Sequence, residues 1–126
     1  MKNTIYTLPQ DRFVAGQTCR YVWKMYRESG HPFNANGCEG SFALIDYSHK
    51  DEDPILIKPV EFIVGDEGLV NIASLELEPK DTINLDGKYI YQLSIKDPEG
   101  NLEIPNQGLL YISNNIHKSF VWFGYY

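Results

Sequence analysis

The stretch Gly87-Lys88-Tyr89-Ile90-Tyr91-Gln92-Leu93-Ser94-Ile95-Lys96 decides the fold class. Tyr89, Tyr91, Leu93 and Ile95 alternate with Ile90, Gln92, Ser94 and Lys96. A period of two puts one set on each face, which is the mark of a half-buried strand. Asp86-Gly87 opens the stretch and Asp97-Pro98-Glu99-Gly100 closes it, both with turn chemistry. Working outward, residues 17–27 repeat the pattern. Cys19, Tyr21, Trp23 and Met25 share one face, and Arg20, Val22, Lys24 and Tyr26 the other. Residues 41–47 read as a third strand. Residues 55–64 read as a fourth, which Pro59 restricts to an edge strand or two short pieces, because proline brings no donor to a ladder. Val60, Phe62 and Val64 keep the inward phase after it.

Two apolar sets then follow with opposite parity: Val70 and Ile72, then Ala73, Leu75 and Leu77. One flat strand cannot bury both, so a bulge or break is expected near Ala73-Ser74. Residues 109–112 form a further strand and residues 4–8 a weaker one. Roughly seven or eight short strands with regular turns describe an all-β immunoglobulin-like antiparallel β-sandwich. Helix content is expected to be small, with a turn around residues 114–119 as the exception. The expected core is Tyr21, Trp23, Phe42, Leu44, Val60, Phe62, Val70, Ile72, Tyr89, Tyr91, Leu93, Ile95, Leu110 and Ile112.

Composition narrows the function. The chain has 126 residues, one domain's worth, with 43% hydrophobic and 22% charged residues. Lys+Arg is 11 and Asp+Glu is 17, a net charge of −6. So acidic a surface is a poor match for phosphate backbones, and nucleic acid is not expected as a partner. No apolar run reaches the roughly 20 residues of a membrane span, and the N-terminus shows no secretory signal. Cys19 and Cys38 stand outside any CxxC. They read as small buried hydrophobes or as one disulfide pair, with no zinc site or redox motif.

No catalytic constellation is visible. His31, His49 and His117 lie in turns and loops without a local motif. Asp46, Asp51, Glu52 and Asp53 form an acidic run that lacks the spacing and glycine of a calcium loop, so no metal is expected. Phosphate-cradling glycine loops are absent, so no cofactor is expected either. The chain reads as non-enzymatic.

The chain divides into a sandwich over 1–113 and an aromatic C-terminal segment over 114–126. Five of the seven residues from 120 to 126 are aromatic: Phe120, Trp122, Phe123, Tyr125 and Tyr126. Such a segment is either a last strand docked on the body or a patch for a partner, and these five are the candidate contact residues. The competing reading is a carbohydrate-binding module for host-surface glycan, presenting Trp and Tyr rings flat to a sugar. Trp23 falls in the core phase, which leaves Trp122 as the freer ring.

The order of turns carries a resemblance. Gly16-Gln17-Thr18 opens a long strand. Gly30-His31-Pro32-Phe33-Asn34 and Gly37 follow, then Gly68-Leu69-Val70-Asn71-Ile72, then Gly87-Lys88-Tyr89-Ile90-Tyr91-Gln92-Leu93. Residues 97–101 and 104–112 close the series. The whole resembles the N-terminal immunoglobulin-like domain of phage baseplate upper proteins and small phage tail adaptors, over roughly residues 14–113. The resemblance implies a phage or prophage structural protein acting through assembly surfaces. Its partners would be other tail or baseplate proteins, with a homo-oligomer as a further expectation. It would be a virion component assembled in the bacterial host cytoplasm.

Overall fold

A computed structural model describes residues 12–27 and 29–123. Seven strands run in the order β1 (Arg12–Val14), β2 (Cys19–Lys24), β3 (Glu39–Asp46), β4 (Leu56–Ile63), β5 (Ile72–Leu77), β6 (Gly87–Lys96) and β7 (Leu102–Ser113). Two short helices join them, α1 (Pro79–Thr82) and α2 (Lys118–Phe123). The fold is all-β and sandwich-like, as expected. The sheet order is β1-β7-β6-β3-β4-β5-β2. Every pairing is antiparallel except β1 beside β7, which is parallel.

Two layers arise because β4 changes partner. Residues 56–60 pair with β3, and Glu61–Ile63 pair with β5. Pro59 precedes that switch. β4 is therefore one strand rather than two pieces, and the missing N–H falls where β5 is not yet paired. The large layer is β1-β7-β6-β3 with the first part of β4. The small layer is the end of β4 with β5 and β2. One buried cluster joins them, with Phe42, Leu44, Leu93 and Leu110 from the large layer and Tyr21, Leu75 and Leu77 from the small one.

Ten of the fourteen expected core residues are buried. Phe62 and Val70 pack against the core half-buried, Ile72 is half-buried, and the side chain of Trp23 lies outside the described residues. Val64 is 64% exposed, so the inward phase of β4 ends at Phe62. The core also takes Phe13, Met25, Phe33 and Ile83.

The bulge expected near Ala73-Ser74 is absent, and β5 runs unbroken from Ile72. Asn71 explains why: it is 0% exposed and continues the inward phase of Ala73, Leu75 and Leu77. A polar residue at an inward position broke the apolar alternation on which the parity argument rested. The actual irregularity lies between β6 and β7, where Leu93 faces Asn106 but Ile95 faces Glu103. β7 carries one extra residue there, at Ile104-Pro105, and proline suits the unpaired position of a bulge. The weak strand expected over residues 4–8 lies outside the described residues.

The loops close the two ends. Gly16 has φ +81, and a Cβ there would lie 2.6 Å from Ile83 Cδ1 and 3.3 Å from Val121 Cγ2. Its N–H donates to buried Thr82 Oγ1 at 2.9 Å, and Asn115 Nδ2 donates to the Ala15 carbonyl at 2.7 Å. α1 and α2 thus meet the β1–β2 turn. α1 starts in a capping box, with Glu78 and Asp81 bonding each other's backbone N–H and Pro79 in its first turn.

Candidate functional site

The outer face of the large layer is built in rows, because paired strands place outward residues side by side. One row crosses three strands: Leu109 faces Ile90, and Ile90 faces Ile45. Ile55, whose N–H donates to the Leu44 carbonyl, continues the row. Ile57, opposite Ala43, lies beside it. Ile57 is 63% exposed, Ile55 47% and Leu109 38%. A sheet face covered by its own protein would bury these side chains. Among the described residues nothing does.

The next row toward the β3–β4 loop is cationic and aromatic. Arg12 faces Tyr111, Tyr111 faces Lys88, and the Tyr47 N–H donates to the Lys88 carbonyl. The Arg12 guanidinium sits 4.7 Å from the Tyr111 ring centre. Lys88 and Lys50 lie 4.0 Å and 4.1 Å from the Tyr47 ring centre. These are cation–π distances. Among the described residues, Arg12, Lys50 and Lys88 make no ion pair. The small layer and its neighbours differ: Arg20 pairs with Glu76 at 2.8 Å, Lys24 with Asp66 at 2.9 Å and Lys58 with Asp81 at 3.0 Å. Charge is matched there and left unmatched on the outer row.

On the far side of the aliphatic row the surface turns neutral. Gln107 Nε2 donates to Gln92 Oε1 at 2.8 Å, and Gln92 Nε2 to Ser94 Oγ at 3.2 Å. The face therefore grades from cations through aliphatics to amides.

The aromatic segment forms part of a helix over Lys118–Phe123, not a last strand. β7 ends at Ser113 and β1 already occupies its outer edge, so a further strand could not pair with β7. α2 leaves the sheet at the end that carries Tyr111. Phe120 is 65% exposed and lies against the His117 ring at 5.5 Å. Trp122 and Phe123 fall within the helix, and their side chains lie outside the description, as do Tyr125 and Tyr126 altogether.

A cleft of about 210 Å³ opens at the opposite end, lined by Arg27, Phe33, Asn34, Cys38, Asp97 and Glu103 among others. Burial pushes the Cys38 thiol up, and the carboxylates of Asp97 and Glu103 push it the same way. A nucleophilic thiol needs the reverse, a cationic neighbour that favours thiolate. Cys19 is raised by burial as well, and both cysteines are free. The histidines stay apart: His31 Nδ1 meets Ser29 Oγ at 3.1 Å, and His49 lies 3.7 Å from Asp46 at the surface. No group of acids, histidines and cysteines fit for a metal occurs among the described residues.

One acid is strongly perturbed. Asp66 accepts from Lys24 Nζ at 2.9 Å, from Tyr26 Oη at 2.7 Å and from Asn71 Nδ2 at 3.3 Å. The Lys24 bond foremost, then Tyr26 and Asn71, lower its pKa to about 2. This cluster ties β2 to the turn before β5, a structural task away from the outer face.

Neither a protein-family model nor a curated protein matches the chain. Among solved structures, CopC from Methylosinus trichosporium OB3b resembles it at a TM-score of 0.43 and 11% identity, over 84% of this chain and 85% of that one. That likeness is too distant to bear on function. No helix among the described residues is long and apolar enough to cross a membrane.

Proposed function

We propose that this chain is a non-enzymatic assembly module that meets a partner protein through the outer face of its large layer. The single observation behind this is the aliphatic row Leu109–Ile90–Ile45–Ile55, laid across three strands and the approach to β4, with Ile57 63% exposed beside it. Ile45 and Ile90 are half-buried and Ile55, Ile57 and Leu109 exposed around them, and clustered apolar surface of this kind mostly marks an interaction site. α2 leaves the sheet at the end that carries Tyr111, with Phe120 65% exposed on it. Phe120, Trp122, Phe123, Tyr125 and Tyr126 stand in this reading as rim contacts. The order of turns that resembles phage baseplate upper proteins supplies the setting: a virion component, with other tail or baseplate proteins as its neighbours.

Glycan binding is the weaker reading. A sugar stacks on an open ring face, and cations lie over both outward tyrosines, Tyr47 and Tyr111.

The test is Ile57→Asp, at a position exposed enough to leave the core intact. In extracts of producing cells, the native chain should elute with a larger complex and the variant as free chain near 14.5 kDa. Circular dichroism should show both folded. If the folded variant elutes with the native protein, the outer face is not the docking surface.

A further inference from the structure

Charge along the cationic row is arranged asymmetrically. Arg12 stands at its β1 end. Tyr111, Lys88 and Tyr47 follow, strand by strand. At the other end the β3–β4 loop presents Lys50 and then Asp51, Glu52 and Asp53, all exposed. Among the described residues, neither Arg12 nor any of these three acids makes an ion pair. With strands about 4.8 Å apart, Arg12 and the loop stand roughly 19 Å from each other. The row is thus positive at one end and negative at the other, with tyrosines and lysine between.

We infer that the occupant of the outer face is a second copy of this chain, related by a two-fold axis in the plane of the interface and parallel to the strands. This rests on the docking reading above. Such an axis lays each row on its own reversed image. Leu109–Ile90–Ile45–Ile55 meets Ile55–Ile45–Ile90–Leu109, and the amide row meets the amide row. In the charged row the same axis brings Arg12 of one copy within about one strand spacing, roughly 5 Å, of residues 51–53 of the other, a gap that a guanidinium side chain can span, and the same contact recurs at the far end. Pairing of this kind is isologous: one patch is complementary to itself, as in the commonest soluble oligomers. An unrelated partner would have to match the aliphatic row and a dipolar charged row together. A second copy carries the same charge order in reverse, so its negative end falls at the positive end of the first. Charges at such a rim fix register and reject wrong pairings. That accounts for Arg12 having, among the described residues, a ring and no carboxylate beside it, while Arg20 and Lys24 on the small layer have carboxylates.

The experiment is a charge swap read by sedimentation equilibrium. The native chain should form a dimer of twice 14.5 kDa. Arg12→Glu alone and Asp51→Lys/Asp53→Lys alone should each weaken dimerisation by about tenfold or more, since each sets like charges together at both ends. An equimolar mixture of the two variants should recover a dimer of near-native affinity, because each end then pairs opposite charges again. The recovery excludes misfolding as the cause of either loss. A native chain that stays at 14.5 kDa, or a mixture that stays dissociated, overturns the inference. If the native chain is monomeric when pure yet still elutes with a larger complex that Ile57→Asp abolishes, docking stands and the second copy is wrong.

Discussion

Replacing Asn71 with Ala tests how the small layer is held. Asn71 is 0% exposed, yet polar. Its Oδ1 accepts the Asp66 N–H at 3.0 Å, and its Nδ2 donates to Asp66 Oδ2 at 3.3 Å. Its carbonyl accepts the Met25 N–H at 2.7 Å, a bond that does not depend on the side chain. The substitution removes both side-chain bonds and leaves the Asp66 N–H without its acceptor. A neutral bond contributes about 1 kcal/mol net, one to a carboxylate about 1.5–3, and a stranded donor carries its own desolvation cost. The bond to the carboxylate is long, so the lower end applies to it. The total is about 2–4 kcal/mol, or a fall in Tm of about 8–15 °C for a chain of this size. Urea and thermal unfolding at pH 7 measure it. Asn71→Asp keeps the shape and the acceptor but sets a second carboxylate against Asp66. It should cost more than Ala at neutral pH and recover as the pH falls, because protonating either acid removes the repulsion. A change below about 0.5 kcal/mol for Asn71→Ala would refute the reasoning, since that is the range of an ordinary surface site.

Gly16→Ala should destabilise by about 1–3 kcal/mol, because its φ is +81 and the new Cβ would meet Ile83 Cδ1 at 2.6 Å; denaturant midpoints give the value. Asp66 has its pKa lowered to about 2, below the usual unfolded value of about 3.9, so the stability it contributes is full above the unfolded value and lost as the pH falls through about 2. Asp66→Asn should therefore be less stable than the native chain at neutral pH, and the gap should close between about pH 4 and 2 in urea midpoints measured across that range. Deleting residues 119–126 should lower Tm, since Val121 Cγ2 packs where a Gly16 Cβ would lie. It should weaken the association read by gel filtration less than Ile57→Asp does, because the tail is rim and the sheet face is centre.

Much of the fold was written in local pattern. The alternation from Tyr89 to Ile95 predicts β6, and the same period places Tyr21, Phe42, Leu44, Leu110 and Ile112 in the core. The errors have physical sources. Asn71 held an inward position that an apolar count could not register. Pro59 shows in the sequence what it denies a ladder, while the change of partner just after it is a tertiary fact. α1 was missed although Glu78-Pro79-Lys80-Asp81 spells a capping box. The aromatic cluster of the tail is contiguous in the sequence and legible there. The outer face is not, because its row is assembled from one residue on each of four segments. Ile57 and Leu109 were only period-two partners of core residues until register set Ile45 and Ile90 between them. That Arg12, Lys50 and Lys88 make no ion pair among the described residues is equally hidden, since pairing belongs to the folded chain.

The most direct measurement is a photo-cross-linking scan in producing cells. A benzophenone amino acid would be installed in place of Ile57, Leu109 or Val22, one at a time. Ile57 and Leu109 lie on the outer face of the large layer, and Val22, 55% exposed, lies on the small layer. Docking through the large layer predicts discrete adducts from positions 57 and 109 and none from 22. No adduct from 57 and 109, or equal adducts from all three, would contradict it.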